Sequence, residues 1–201
     1  MSPRTVDKSL KREQILKAAL EVMIRTGVDN LKMIDVAREA GVGKGTLYEY
    51  FKSKGELIGG AFSIFIDDYT EFLNSKLNEI TNPENRIRRI IELSISFFAE
   101  QHDRVEVMFY AWGSCRTYSD SINLTNKVTS KYDEMKHYLI GLLKEGVKAG
   151  KFRRMDYQTV ASSMLALIDG LLFQVQIGMI DLKTPGLSKG IADTLMKGIL
   201  K

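Results

Sequence analysis

Apolar residues recur at spacings of three and four along almost the whole chain. From about Asp7 to Thr26, the residues Ile15, Leu16, Ala19, Leu20 and Met23 fall on one stripe of a helix. Gly27 follows and predicts a C-terminal cap. Asp29 or Asn30 is expected to cap a second short helix, in which Val36, Ala37 and Ala40 face inward. Gly41-Val42-Gly43 then breaks the pattern. A third short helix runs from Lys44 to Phe51, with Leu47 and Phe51 spaced i, i+4 toward the first two. Two helices joined by a tight glycine-containing turn are the sequence form of a helix-turn-helix, whose second helix enters the major groove of duplex DNA. Such a pair buries too little surface alone, so the first helix is a required third member.

The pattern stays helical afterwards. Lys54-Gly55-Glu56 opens a long fourth helix to about Ile80, rich in aromatic residues. Asn82-Pro83-Glu84 is a stop and restart, with Pro83 suited to the first turn of a fifth helix to about Gln101. A sixth covers about Val105–Trp112, and residues 116–123 read as a loop. A seventh spans about Leu124–Lys148. An eighth starts at Asp156 or Tyr157 and reaches about Ile177, and a ninth finishes the chain after Lys183-Thr184-Pro185-Gly186. No run shows sustained period-two alternation, so the expected class is all-α, nine helices in two modules. An N-terminal three-helix domain would occupy 1–53 and a helical bundle 54–201.

Charge sharpens this division. Residues 1–54 hold 11 Lys/Arg against 7 Asp/Glu, and residues 55–201 hold 18 of each sign, so the whole excess of +4 lies in the first segment. A localised basic face is the electrostatic footprint of a nucleic-acid binder. Other chemistry is thin. His102 and His137 are the only histidines and have no metal-ligand spacing, which argues against a metal site. Cys115 has no evident base and reads as a small buried residue of a reduced, cytoplasmic protein. Gly41–Gly45 lacks the preceding strand and the Gly-Lys-Ser/Thr spacing of a phosphate loop. No enzyme, cofactor or membrane span is expected, since no segment approaches 18 consecutive apolar residues.

The stretch Ala40-Gly41-Val42, Lys44-Gly45-Thr46-Leu47-Tyr48, Tyr50-Phe51 and Lys54, preceded by Gly27 and Asp35-Val36-Ala37, resembles the TetR-type transcriptional regulators. The close match covers about residues 10–57. Ile168-Asp169-Gly170-Leu171 also looks like a common start to that family's eighth helix. The resemblance implies an all-helical homodimer that reads a palindromic operator and carries a variable C-terminal ligand-binding and dimerisation domain. Ligand binding there typically releases DNA. Two positions depart from the pattern. Lys32 stands where threonine is usual, and a charge there would replace a hydroxyl–phosphate hydrogen bond. Gly43 stands where serine or alanine usually starts the third helix, and it offers no side-chain contact to phosphate.

On a helical wheel with Leu47 at the core, Glu49 lies nearly opposite and Gly45 beside it, flanked by Thr46 and Tyr48. Lys44, Thr46 and Glu49 are expected to read bases, Glu49 by accepting from cytosine N4. Gly45 lets the backbone approach the groove. Lys32, Tyr50, Lys52 and Lys54 are expected to hold phosphates, with Tyr48 beside them. The start of the fourth helix adds its N–H groups as an anion site. In the C-terminal module, Phe65, Tyr69, Phe97, Met108, Trp112, Met164 and Phe173 are candidates to line a site for a small, largely hydrophobic effector. The eighth and ninth helices are the expected dimer surface, with Ile168, Leu171, Leu172 and Val175 as apolar faces and Gln174 as a polar contact. The leading function is a ligand-released repressor. The alternative is a DNA-binding protein of the same fold without a small-molecule effector, governed by a protein partner or organising the nucleoid.

Overall fold

The computed structural model describes residues 3–114 and 121–201, with side chains at 8–109, 113, 126 and 129–201. Nine helices occur among the described residues: α1 (Pro3–Thr26), α2 (Met33–Glu39), α3 (Lys44–Tyr50), α4 (Lys54–Leu77), α5 (Pro83–Glu100), α6 (His102–Ser114), α7 (Ser121–Lys148), α8 (Tyr157–Gln176) and α9 (Leu187–Ile199). The extended backbone among them is limited to one antiparallel bridge, Phe152 with Leu200. The all-helical class follows the sequence pattern. Residues 121–123 of the expected loop are helical, because α7 begins at Ser121, and Cys115 with residues 116–120 lies outside the described residues.

Packing divides the chain into two units, one of residues 1–68 with 103–130 and another of 69–102 with 131–201. In the first unit α1 packs on α2 and α2 on α3. Ile15, Ala19, Met23, Val36, Leu47 and Phe51 are fully buried there, as the spacing predicts, and Val22 joins them. Side chains tie the helices where their own backbone bonds run out. Gln14 Nε2 donates to the Ala40 carbonyl at 2.9 Å, Arg25 pairs with Glu39 at 2.7 Å, and the Arg12 guanidinium lies 4.7 Å from the centre of the Phe51 ring. Gly60 admits the Leu16 side chain, since a Cβ there would stand 2.5 Å from a Leu16 methyl.

In the second unit α5 packs against α8 and α9. Asn82 caps α5 through its side-chain oxygen, which accepts from Glu84 N and Asn85 N, and Pro83 occupies the first turn as expected. Asp156 caps α8 in the same way, accepting from Gln158 N and Thr159 N. At the end of α7, Gly146 leaves room for the Phe152 ring, where a Cβ would come within 2.0 Å of a ring carbon. That contact locks the segment after α7 beside the C-terminal residues, where Arg153 N donates to Ile199 O at 3.0 Å.

α8 is the one helix among the described residues long and apolar enough to cross a membrane by length and composition. Only 17% of its most apolar window is buried, and many of its apolar side chains are half-buried.

Candidate nucleic-acid interface

The turn between α2 and α3 is a helix stop built from backbone bonds. Gly41 has φ 62°, in the left-handed region where a Cβ is costly. Gly41 N donates to Arg38 O at 3.1 Å and Val42 N to Ala37 O at 2.9 Å. This pair of bonds satisfies two carbonyls at the end of α2 and turns the chain directly into α3. Gly43, extended at φ −68° and ψ 149°, is the N-cap of α3 and makes no side-chain cap bond. Asp29 and Asn30 do not cap α2 as expected. Lys32 holds that position without a side-chain cap bond. Asn30 Nδ2 instead donates back to Thr26 O at 2.9 Å, closing the end of α1.

α3 buries Leu47 and presents Lys44, Gly45, Tyr48 and Glu49 to solvent. Thr46 and Tyr50 are half-buried at its edges. Lys32 and Lys52 are exposed. Acidic residues nearby on α1 and α2 are already neutralised, Glu13 by Lys17 at 2.6 Å, Asp35 by Arg38 at 2.6 Å and Glu39 by Arg25 at 2.7 Å. Among the described residues Lys32, Lys44 and Lys52 enter no ion pair, so their charge is available to an external anion. A Cβ on Gly45 would meet nothing within 4 Å, so the protein itself imposes no need for glycine there. Ile34, expected in no role, is 47% exposed near the start of α2. Its apolar character hid it from reasoning that looked for polar contacts.

Two expected phosphate contacts are engaged inside the protein. Lys52 Nζ donates to the Tyr48 carbonyl at 2.7 Å, across the end of α3. Lys54 is half-buried, and its Nζ donates to the Asp29 carbonyl at 2.8 Å; burial lowers its pKa. Lys54 thereby joins the α1–α2 connection to the start of α4. The α4 N-terminus carries its own cap. Ser53 Oγ accepts from Glu56 N at 3.1 Å and the Glu56 carboxylate accepts from Lys52 N at 2.8 Å. That carboxylate places a negative charge of the protein's own at the end expected to serve as an anion site.

In the second unit, Tyr69 and Phe97 meet with ring centres 5.3 Å apart, and Tyr69 stacks with Phe98 at 5.0 Å. Met164 is buried in the same unit, and Phe65 and Met108 are buried in the first. The Trp112 side chain lies outside the described residues. Phe173 is 55% exposed and so lines no interior wall, whereas Leu171 and Leu172 are buried inside the protomer. Ser162, Ala166, Phe173 and Ile177 occupy its outer face, and Ile168, Gln174 and Val175 lie half-buried beside it. Ile168–Leu171 falls in the C-terminal half of α8, not at its start.

Sequence reasoning missed a polar cluster in this unit. Tyr132 Oη donates to Asp169 Oδ1 at 2.7 Å. Tyr69 Oη and Ser94 Oγ share a hydrogen bond of 2.6 Å, and Ser94 also reaches the Ile90 carbonyl at 2.6 Å. Burial pushes the Tyr69 phenol up to about 12 and raises the Asp169 carboxyl above the ordinary range. The signal was a carboxylate within an apolar run.

Residues 15–60 match the bacterial regulatory proteins of the tetR family, and residues 81–172 match the tetracyclin repressor-like C-terminal domain. The chain is 23% identical over 193 residues to the fatty acid metabolism regulator protein of Bacillus subtilis, covering 96% of this chain and 97% of that one. The structure of the regulator FadR from Bacillus subtilis in complex with stearoyl-CoA superposes with a TM-score of 0.76 at 25% identity, covering 93% of this chain and 98% of that one. A transcriptional regulator from Saccharomonospora viridis in complex with choline gives a TM-score of 0.74 at 25% identity, with coverage of 96% and 99%. With both modules matched in order and the helix-turn-helix exposed as described, the chain belongs to the TetR family of DNA-binding transcriptional regulators.

Proposed function

We propose that this regulator is a repressor that binds a palindromic duplex operator as a homodimer and lets go when a small, largely apolar ligand enters the module of residues 54–201. The observation that carries the DNA part is the sorting of α3: Leu47 and Phe51 are buried, while Lys44, Gly45, Tyr48 and Glu49 stand exposed beside Lys32 and Lys52, which are exposed and enter no ion pair among the described residues. Residues 1–53 are the reading head. Lys44, Thr46 and Glu49 contact base edges, and Lys32, Tyr48, Tyr50 and Lys52 position the backbone. Lys54 acts mainly by bracing the Asp29 carbonyl.

Dimerisation is supported by the large apolar side chains exposed at the C-terminal end of α8 and just beyond it. Phe173, Ile177 and Met179 are 55%, 53% and 71% exposed in the protomer, more large apolar surface than one end of a helix leaves in water without a partner. A twofold pair places two recognition helices on successive turns of DNA, which is why a palindrome is expected. The relatives are regulators, and the chain is read as one and not as an enzyme, acting on DNA in the cytoplasm. Of the ligands in the two solved neighbours, stearoyl-CoA carries a long apolar chain and negative charge, and choline is a small cation.

The test selects bound duplexes from a random pool with the full-length protein, then adds stearoyl-CoA and choline to the complex. A palindromic consensus bound by a dimer, and release by an apolar ligand, support the reading. A selection that yields no consensus contradicts it.

A further inference from the structure

The second unit contains a carboxylate that has no counter-charge among the described residues. Asp169 sits within the apolar α8, half-buried, and accepts from the Tyr132 phenol at 2.7 Å. Among the described residues no Lys, Arg or His pairs with it. Its surroundings only penalise the charge, since burial raises the Asp169 pKa and the Tyr132 bond is the sole opposing influence. Its negative charge reaches as far as the buried Tyr69, whose phenol it helps to raise. Tyr69 in turn is packed among Phe97 and Phe98, at 5.3 Å and 5.0 Å between ring centres, and Phe72 lies 5.1 Å from Phe97.

A carboxylate in apolar surroundings is costly unless it is paired. Here the pairing is a single neutral phenol. A fold that served only stability would place an apolar residue at 169, as it does at Leu171 and Leu172 on the next turn. A half-buried carboxylate in apolar surroundings, with the Tyr132 ring hydrogen-bonded to it, is chemistry that suits an organic cation. Asp169 and Tyr132 are both half-buried, so neither is sealed from solvent.

We propose that Asp169, held by Tyr132 beside the Tyr69–Ser94 pair, anchors the cationic head of the effector, an ammonium group carried on an apolar body. This rests on the reading of residues 54–201 as the ligand module, and it chooses between the two charges that the solved neighbours leave open. The anionic class is disfavoured at this position, because a carboxylate or phosphate would face Asp169 directly.

The experiment uses the full-length protein and three probes with the same ten-carbon chain, below their micelle thresholds: decyltrimethylammonium, decanoate and 1-decanol. Titration calorimetry reads affinity and stoichiometry. The expected result is saturable binding of the cation, one per protomer, at least tenfold tighter than the alcohol or the acid. Asp169→Asn should bring the cation to the level of the alcohol and leave the alcohol unchanged. Decanoate binding as tightly as the cation overturns the proposal in the unsubstituted protein, whether or not the variant folds. A well-folded Asp169→Asn protein that keeps the preference overturns it too. Operator release, followed in parallel, separates the two readings. Selective cation binding without release upholds the site and refutes its role as the effector switch. Release by stearoyl-CoA with no cation binding refutes the site and leaves the repressor reading standing.

Discussion

The helix-turn-helix and the α8 region solve opposite problems with similar helices. α3 is seven residues long and holds its shape through neighbours: the glycine stop at Gly41, the Arg12–Phe51 contact and the Lys54–Asp29 brace. Everything on its outer face is then free to meet DNA. α8 is 20 residues long, capped by Asp156, and is in no need of bracing. Its inner face carries core residues, its flank carries Asp169, and its outer face carries Phe173 and Ile177. The short helix concentrates its exposed residues on one face, whereas the long one carries a different kind of residue on each. Function in the first is therefore compact in sequence, and in the second it is scattered.

Glycine-to-alanine substitutions expose this contrast most sharply. Gly146→Ala drives a Cβ to 2.0 Å from the Phe152 ring, which a fully buried ring cannot evade cheaply. Chemical unfolding should show a loss of about 3 kcal/mol, the upper part of the usual range for overpacking. On the outer face of α8, Phe173→Ser should weaken the dimer by about 2 kcal/mol, from the apolar burial lost. Sedimentation velocity across protein concentration reads it, and an unchanged dimer would remove Phe173 from the interface.

Gly45→Ala makes the converse case. Nothing in the protein lies within 4 Å of the new Cβ, so stability should hold or rise by up to about 1 kcal/mol. Operator affinity, measured by fluorescence anisotropy, should nonetheless fall about tenfold, because the methyl group meets the groove. Equal affinity would show that α3 stands further from DNA than proposed. Lys52→Ala should cost only a few-fold in affinity, equally for all operator variants, and reduce the steepness of the salt dependence.

Asp169→Asn gives the smallest effect and follows pH. The folded carboxyl, raised by burial, keeps its proton at pH values where the unfolded chain has lost it. Stability contributed by that proton is present at low pH and is lost as pH rises through the folded pKa. Asparagine removes this dependence. The variant should melt above the original protein at neutral pH, and the difference should shrink as pH falls toward about 4, the ordinary carboxylate value.

The sequence was legible wherever one local rule decided the outcome. The stripe of Ile15, Ala19 and Met23, the Gly41 stop, the Asn82-Pro83 restart and the burial of Leu47 and Phe51 all follow from spacing and from residues with narrow conformational tastes. Expectations drifted where a side chain had two partners within reach. Lys54 was expected at phosphate and found the Asp29 carbonyl; Asn30 was expected to begin α2 and closed α1. On α8 the apolar content is high, with a mean hydropathy of 1.3 over its most apolar window. Periodicity alone therefore could not say that Leu172 turns inward and Phe173 outward. The Tyr132–Asp169 bond joins residues 37 apart in sequence, a distance no local pattern spans.

The most direct test of the account is the salt dependence of operator binding by the intact dimer. Six to ten phosphate contacts from the exposed lysines and flanking groups of two α3 copies predict a plot of log affinity against log salt with a slope of about −5 to −9. A slope near zero would contradict the placement of this basic face against the DNA backbone.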